Sequence, residues 1–271
     1  MPELPEVETT MQGVRPFVEG RSFKEVIVRD HRLRWPVPKA LKKTLPGLRV
    51  IAVSRRAKYI LLHTKVGTLM IHLGMSGRLR VLPKDTPSVK HDHVDIILSS
   101  GKLLRYHDPR RFGSVLWLTG AFSDHPLLAS LGPEPFDEDL TAEHLFQLSR
   151  SRKIAVKSFI MDSKVIVGVG NIYASEALFR SGIRPGRAAG RVTRVAYSRL
   201  LASIKAVLAE AIEAGGTTLR DYSRVTGEPG YFEQSLNVYE RAGLPCVNCG
   251  EAIQRKVIGQ RASYYCPHCQ I

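Results

Sequence analysis

The 271-residue chain is short of acidic residues, has only four cysteines and contains no long apolar run. No stretch approaches the roughly 18 consecutive apolar residues of a membrane span, which argues against a helical membrane protein and makes a soluble one the expectation. The N-terminus lacks a basic stretch followed by an apolar run of about 7–15 residues, so no secretory signal is read there. Internal repeats and low-complexity tracts are also missing. The 44% of hydrophobic residues suffice for a real core in one large domain or two ordinary ones. Only 25 Asp and Glu stand against 40 Lys and Arg, a formal charge of +15. An excess of that size points to a polyanionic partner, nucleic acid before anionic membrane.

The scarce acids are unevenly placed. Between Thr119 and Ser149 lie Asp124, Glu134, Asp137, Glu138, Asp139 and Glu143, three prolines (Pro126, Pro133, Pro135) and no Lys or Arg. This shift reads as a domain boundary. The expected division is residues 1–130, an acidic linker over 131–150 leading into a first helix, a helical region over 151–235, and a terminal module over 236–271.

In "PEVETTMQGV" the apolar Val7, Met11 and Val14 recur at i, i+4 and i+7, predicting a short amphipathic helix with Pro5 in its first turn. From Phe23 to Leu118 the texture changes to short β-rich runs ("EVIVR", "YILLHT", "TLMIHL", "VDIILS", "SVLWL") with turn signals between them, predicting antiparallel sheet as a sandwich or barrel. Beyond the linker the period becomes helical: "TAEHLFQLSRSR" after a Thr141 cap, and a long helix from Thr193 to a Gly-Gly stop. Between them "VGVGNIYASEALFRSGIRP" is a glycine-studded turn entering a helix. Such a unit suits DNA when basic residues surround it, and equally suits a plain helical core.

The cysteines follow the spacing Cys246-x2-Cys249-x16-Cys266-x2-Cys269. Two CxxC knuckles joined by a hairpin read as a four-thiolate zinc ribbon, and the thiolates imply a reducing compartment. Two disulfides would require export, and a redox CxxC would not come twice at ribbon spacing. Four protein ligands leave no position for a water, so one zinc is expected, in a structural role. Arg255, Lys256 and Arg261 make the hairpin basic.

"MPELPEVETT" places Pro2 behind the initiator methionine with Glu3 and Glu6 close by. If Met1 is clipped, Pro2 is a secondary amine. An α-amino group titrates near 7.7–8.0, about 2.5 units below lysine, so a sizeable fraction is neutral near pH 7. A secondary amine that attacks a sugar C1′ leaves an iminium that keeps its charge, an electron sink. Glu3 is then the natural acid and base and Glu6 a supporting carboxylate. The plainer alternative is that Pro2 merely begins the chain and the glutamates favour the helix N-terminus through its dipole.

"PELPEVE", "RRAKYILL", "HLGMSG", "DPRRFG", "GVGNIYASEALF" and "GQRASYYCPHC" occur in that order along the whole chain. Together they resemble the formamidopyrimidine-DNA glycosylase family, bacterial base-excision repair enzymes. The resemblance implies an α+β multidomain fold: an N-terminal antiparallel β-sandwich with flanking helices, a helix-two-turn-helix domain and a C-terminal four-Cys zinc finger. It makes Pro2 the Schiff-base nucleophile, Glu3 the acid and base, Glu6 its support and Lys58 the lysine near the lesion and its phosphates. Met75, Arg110 and Phe112 match the residues that fill the gap left by an everted base, where a thioether and a ring wedge and a guanidinium bonds the orphaned partner. His72, Arg111, Asn171 and Arg261 match phosphate contacts, which position a duplex without reading its sequence. His72 also suits a satisfied core histidine. The lesion-reading loop falls in "TTLRDYSRVTGEPGYFEQ", with Tyr222 and Arg224 the residues to follow.

The implied activity is excision of oxidised purines, 8-oxoguanine and formamidopyrimidines, with β,δ-elimination at the resulting site. The implied partner is damaged double-stranded DNA, bound by a cytoplasmic, nucleoid-associated monomer with no nucleotide cofactor and no membrane, and with an affinity that falls steeply with salt. The neighbouring reading is an endonuclease VIII-like enzyme for oxidised pyrimidines; "PELPE", "DPRRFG" and the two-loop set of Met75, Arg110 and Phe112 speak against it. A non-catalytic zinc-ribbon nucleic-acid-binding protein explains charge and cysteines but leaves Pro2, Glu3 and Glu6 idle.

Overall fold

The computed structural model describes residues 2–216 and 236–271. Tyr222 and Arg224, and with them the expected lesion-reading loop, lie outside the described residues. The chain forms two compact units, Met1–Ala129 with Ala214–Glu233, and Ser130–Glu213 with Gln234–Ile271.

The first unit opens with helix α1, Leu4–Val18, capped by Glu3 in a reciprocal capping box. The Glu3 side chain accepts from the third amide of the helix, and Glu6 Oε2 accepts the Glu3 N–H at 2.8 Å. Val7, Met11, Val14 and Val18 are buried along one face. The helix continues one turn past the expected end and through Pro16, because Val18 extends the buried stripe and Arg15 ties it to the Val53 carbonyl at 2.8 Å. A proline there removes one helical hydrogen bond and its ring crowds the carbonyl four residues back.

Eight strands follow: β1 Phe23–Val28, β2 Ala52–Arg56, β3 Tyr59–His63, β4 Thr68–His72, β5 Arg78–Pro83, β6 Asp92–Leu98, β7 Lys102–His107 and β8 Ser114–Leu118, with the short helix α2, Leu41–Thr44, between the first two. They make two antiparallel four-stranded sheets, ordered β1-β6-β7-β5 and β2-β3-β4-β8. Alternating residues from both, such as Val94, Ile96 and Leu98 with Ile60, Leu62, Leu69 and Ile71, join the α1 stripe in a single buried cluster. A two-sheet core with period-2 burial is a sandwich. The fold is the antiparallel sandwich with flanking helices that the sequence led us to expect.

A one-turn helix, α3 (Pro126–Ala129), ends this part of the chain. In the second unit the Thr141 hydroxyl accepts from His144 N–H at 3.1 Å and starts α4, Ala142–Ser149. Then come α5 (Val156–Ile160), α6 (Asn171–Arg180) and α7 (Arg194–Glu213), which buries Tyr197, Leu200, Leu201, Ile204, Val207, Leu208 and Ala211. Arg180 of α6 makes a bidentate pair with Glu210 of α7, both contacts at 2.7 Å. The terminal hairpin joins β9 (Gln254–Ile258) to β10 (Arg261–Tyr265) through Gly259 and Gln260, whose φ values of 55° and 62° are the pair a type I′ turn requires. No helix among the described residues is long and apolar enough to cross a membrane.

Candidate functional site

The start of α1 concentrates acid in an apolar setting. Pro2 is buried, and Glu3 and Glu6 are 1% and 3% exposed. Buried carboxylates are costly unless hydrogen-bonded, and the capping box supplies that bonding for both. The positive end of the helix dipole adds to it. The arrangement fixes one carboxyl directly beside the Pro2 nitrogen in sequence and a second one turn along, which is what proton transfer around an amine nucleophile needs.

Lys58 sits in the two-residue turn between β2 and β3, after Ala57, which is buried and held at φ 52°. A non-glycine residue in the left-handed region costs of order 1 kcal/mol and persists only where its surroundings enforce it. Here the Ala57 carbonyl accepts from Arg55 Nη1 at 2.9 Å, and Arg55 Nε bonds Glu8 of α1 at 2.6 Å.

His72 closes β4. Burial, reinforced by the cations Lys58 and Arg34, pushes its pKa down to about 4, with Asp108 opposing. At neutral pH the ring is uncharged. Its Nδ1 accepts the Gly74 N–H at 3.0 Å, which assigns the proton to Nε2 and makes that atom a donor. The Tyr59 ring lies 4.8 Å from it, centroid to centroid.

Met75, Arg110, Arg111 and Phe112 stand on two loops that touch. Gly74 packs so closely against the Phe112–Gly113 backbone that a Cβ there would collide, and a Cβ on Gly113 would strike Tyr106 Oη and the His72 carbonyl. Asp108, fully buried, joins the loops: one oxygen accepts from Ser76 Oγ at 2.7 Å, the other from Gly113 N–H at 2.9 Å and Tyr106 Oη at 3.3 Å. On this frame Phe112 is 43% exposed, with the Arg110 guanidinium 4.9 Å from its ring centroid, and Met75 is half-buried. Arg111, at φ 56°, pairs with Asp30 at 2.8 Å. Asp30 is held well below the usual carboxylate range, chiefly by hydrogen bonds from Arg32, with Arg111 adding its charge. Met75, Arg110, Arg111 and Phe112 were visible in the sequence, and Asp108, Ser76 and Tyr106 were not. The aspartate stood inside the quoted "DPRRFG", but nothing in a linear string tells a buried acid from a solvated one.

In the second unit Asn171 is the first residue of α6, and its Oδ1 is buried with no partner among the described residues. Arg261 is exposed immediately after the type I′ turn. Lys157 of α5 holds the same hairpin, donating from Nζ to Ala262 O at 3.1 Å and Ser263 Oγ at 2.8 Å. Buried Glu176 accepts from the backbone N–H groups of Asn237, Val238 and Tyr239 and from Asn237 Nδ2, at 2.9–3.0 Å. Neither Lys157 nor Glu176 carries a signal in the sequence.

The four Sγ atoms of Cys246, Cys249, Cys266 and Cys269 lie within 4.8 Å of one another. The Cys246–Cys269 and Cys249–Cys266 pairs are 3.9 and 3.5 Å apart, and all four cysteines are free. A tetrahedral zinc with Zn–S of about 2.3 Å needs sulfurs about 3.8 Å apart, whereas a disulfide needs about 2.05 Å. Asn248 N–H points at Cys246 Sγ and Cys269 N–H at Cys266 Sγ, as thiolate ligands favour. The donor set fits one structural zinc and excludes paired disulfides in this state.

Three family models cover most of the chain. The formamidopyrimidine-DNA glycosylase N-terminal domain matches residues 1–115, the H2TH domain of the same enzyme residues 131–223, and a zinc finger found in FPG and IleRS residues 243–271. A formamidopyrimidine-DNA glycosylase of Syntrophotalea carbinolica is 58% identical over 270 residues, covering 100% of both chains. The crystal structure of the MutM (FPG) protein from Thermus thermophilus superposes with a TM-score of 0.88 at 38% identity, covering 99% of this chain and 98% of that one. The Lactococcus lactis Fpg complex with abasic-site DNA does so with a TM-score of 0.92 at 30% identity, covering 99% of each. Matched from its first helix to its last cysteine, the chain belongs to the formamidopyrimidine-DNA glycosylase family.

Proposed function

We propose that this protein is a bifunctional DNA glycosylase and abasic-site lyase that excises oxidised purines, 8-oxoguanine and formamidopyrimidines, from duplex DNA. The observation that carries the reading is the pair of buried, mutually bonded carboxylates, Glu3 and Glu6, at the head of α1 beside Pro2. Capping accounts for their hydrogen bonds, and the chemistry adds a reason for both carboxyls to be buried next to Pro2.

In this reading Met1 is removed and the Pro2 nitrogen attacks C1′ while the bond to the base breaks, the base leaving with the electron pair and a proton. The sugar ring then opens as C1′–O4′ breaks, O4′ taking a proton through Glu3, and the iminium so formed between Pro2 and C1′ acidifies C2′. Glu3 moves the protons, Glu6 holds it in place, and loss of a C2′ proton expels the 3′ phosphate. A second elimination expels the 5′ phosphate and leaves a one-nucleotide gap. Lys58 and the neutral, Nε2-protonated His72 bind phosphates beside the lesion, with Arg111, Asn171 and Arg261 holding the backbone. Met75, Arg110 and Phe112 occupy the space of the everted base. Extrusion costs a few kcal/mol, which their insertion offsets. The zinc holds the hairpin and takes no part in the chemistry.

The functional division goes with it: catalytic residues 1–130, linker 131–150, helix-two-turn-helix residues 151–235 and zinc finger 236–271, acting as a monomer on the bacterial nucleoid in the cytoplasm. The deciding experiment is borohydride trapping on a duplex with one 8-oxoguanine opposite cytosine, with mass spectrometry of the adduct. A covalent link at Pro2 is the expected result. Failure to trap, with Met1 absent and zinc bound, sinks the proposal.

A further inference from the structure

We propose that Glu8 and Arg55 are positioning residues that fix Lys58 relative to the head of α1. The inference rests on the reading above and extends it to two residues outside the catalytic set. Glu8 lies one helical turn after Leu4, the first residue of α1, so it is about 6 Å along the axis from the end that carries Pro2 and Glu3. Its carboxylate is engaged on both oxygens, Oε2 by Arg55 Nε at 2.6 Å and Oε1 by Gln12 Nε2 at 2.9 Å. The Arg55–Glu8 pair is largely shielded, at 11% and 17% side-chain exposure. From the same guanidinium, Nη1 reaches the carbonyl of Ala57 at 2.9 Å.

The target of that second bond matters. Ala57 is the left-handed residue of the turn, and Lys58 is the next residue. A strained turn relaxes unless something holds it, and the rigid planar fork of a guanidinium holds a carboxylate and a carbonyl at once in one fixed geometry. One side chain therefore ties the helix bearing the nucleophile to the turn bearing the lysine. Neither Glu8 nor Arg55 needs to touch DNA to matter, because a displacement of about 1 Å in a reacting group costs up to about 100-fold in rate.

A double-mutant cycle tests this with the full-length, zinc-loaded protein. Single-turnover excision of 8-oxoguanine is measured for wild type, Glu8→Gln, Lys58→Ala and the double variant, with thermal melts of all four. We expect Glu8→Gln to slow excision about tenfold in the wild-type background and less than about twofold when Lys58 is already alanine, the signature of one residue acting through another. A general loss of helix stability would lower the rate by the same factor in both backgrounds. Equal losses, or a wild-type rate for Glu8→Gln, or no loss for Lys58→Ala, overturn the proposal. Should Glu8→Gln melt below the assay temperature, Arg55→Lys replaces it in the cycle; it keeps the ion pair, gives up the carbonyl bond, and carries the same expected and overturning results. Wild type trapped on abasic-site DNA in parallel separates the two ideas: no adduct at Pro2 refutes the enzymatic reading, whereas an adduct with an additive cycle refutes this one alone.

Discussion

The sandwich and the terminal ribbon both present cationic side chains on loops or turns, but they hold them by different physics. In the sandwich, Arg110 and Phe112 stand on a loop whose underside is pinned by fully buried Asp108 and backed by a cluster drawn from α1 and both sheets. The ribbon that carries Arg261 packs on a buried group of only five of the described residues, two of them the zinc ligands Cys246 and Cys266. A hairpin with that little core is marginal alone. The first element is rigid because its interior is packed, the second because its thiolates converge on an ion.

Removing the ion should separate the two elements most sharply. Structural zinc contributes about 10–16 kcal/mol of apparent binding energy in small domains, and that energy is folding energy. Chelation, or Cys266→Ser, is expected to unfold the ribbon and abolish duplex binding, while urea unfolding of the sandwich keeps its midpoint. Circular dichroism and gel shift read the two halves separately. A parallel collapse of the sandwich would mean that its packing is not self-sufficient.

Gly113→Ala is the matching blow to the sandwich. The added methyl meets Tyr106 Oη and the His72 carbonyl in a loop already bonded to Asp108. Overpacking a buried backbone junction costs about 1–3 kcal/mol. We expect a lowered melting temperature and loss of excision at unchanged zinc content by atomic absorption.

His72 supplies a smaller effect confined to the sandwich. Its folded pKa of about 4 lies below the free-chain value of about 6.5, so the unfolded chain takes up a proton that the native state refuses. The associated stability is complete above pH 6.5, declines as pH falls towards 4 and is gone below it. Urea titrations at about pH 7 and about pH 5 should show wild type losing about 2 kcal/mol more than His72→Gln. Identical losses would mean that the ring charges freely in the native state.

The sequence could be read most fully where chemistry is local. Cysteine spacing revealed the zinc site because two CxxC knuckles and a hairpin leave few geometries. The Thr141 cap and the long helix α7 were visible because helix signals act within a few residues. The capping box could be seen only in part, since Glu3 and Glu6 are three apart but their burial depends on sheets folded far later in the chain. Strands β2, β5 and β7 carry arginines and a lysine that blunt the alternation, and what decides them is pairing with other strands, Arg55 with Ile60 and Arg80 with Arg105. Asp108, Lys157 and Glu176 escaped altogether. Each is a charged residue with a partner far along the chain: Ser76 across 32 residues, Ser263 across 106, Val238 across 62.

The smallest stability effect belongs to Phe112, and it separates frame from rim. A large aromatic side chain that is 43% exposed, touching the Arg110 guanidinium at 4.9 Å, adds little to the buried core. Its removal takes away an exposed apolar surface of the kind that marks an interaction site. Phe112→Ala should therefore leave the stability to urea within about 0.5 kcal/mol of wild type, while excision of 8-oxoguanine falls at least about tenfold because nothing supports the stack opposite the everted base. Cleavage of a single-stranded abasic oligonucleotide, which has no stack to fill, should be nearly unchanged by the same substitution. If instead stability drops by about 2 kcal/mol or more, the range of buried large-to-small changes, Phe112 is part of the packed frame, and the division between a rigid underside pinned by Asp108 and a solvent-facing wedge is drawn in the wrong place.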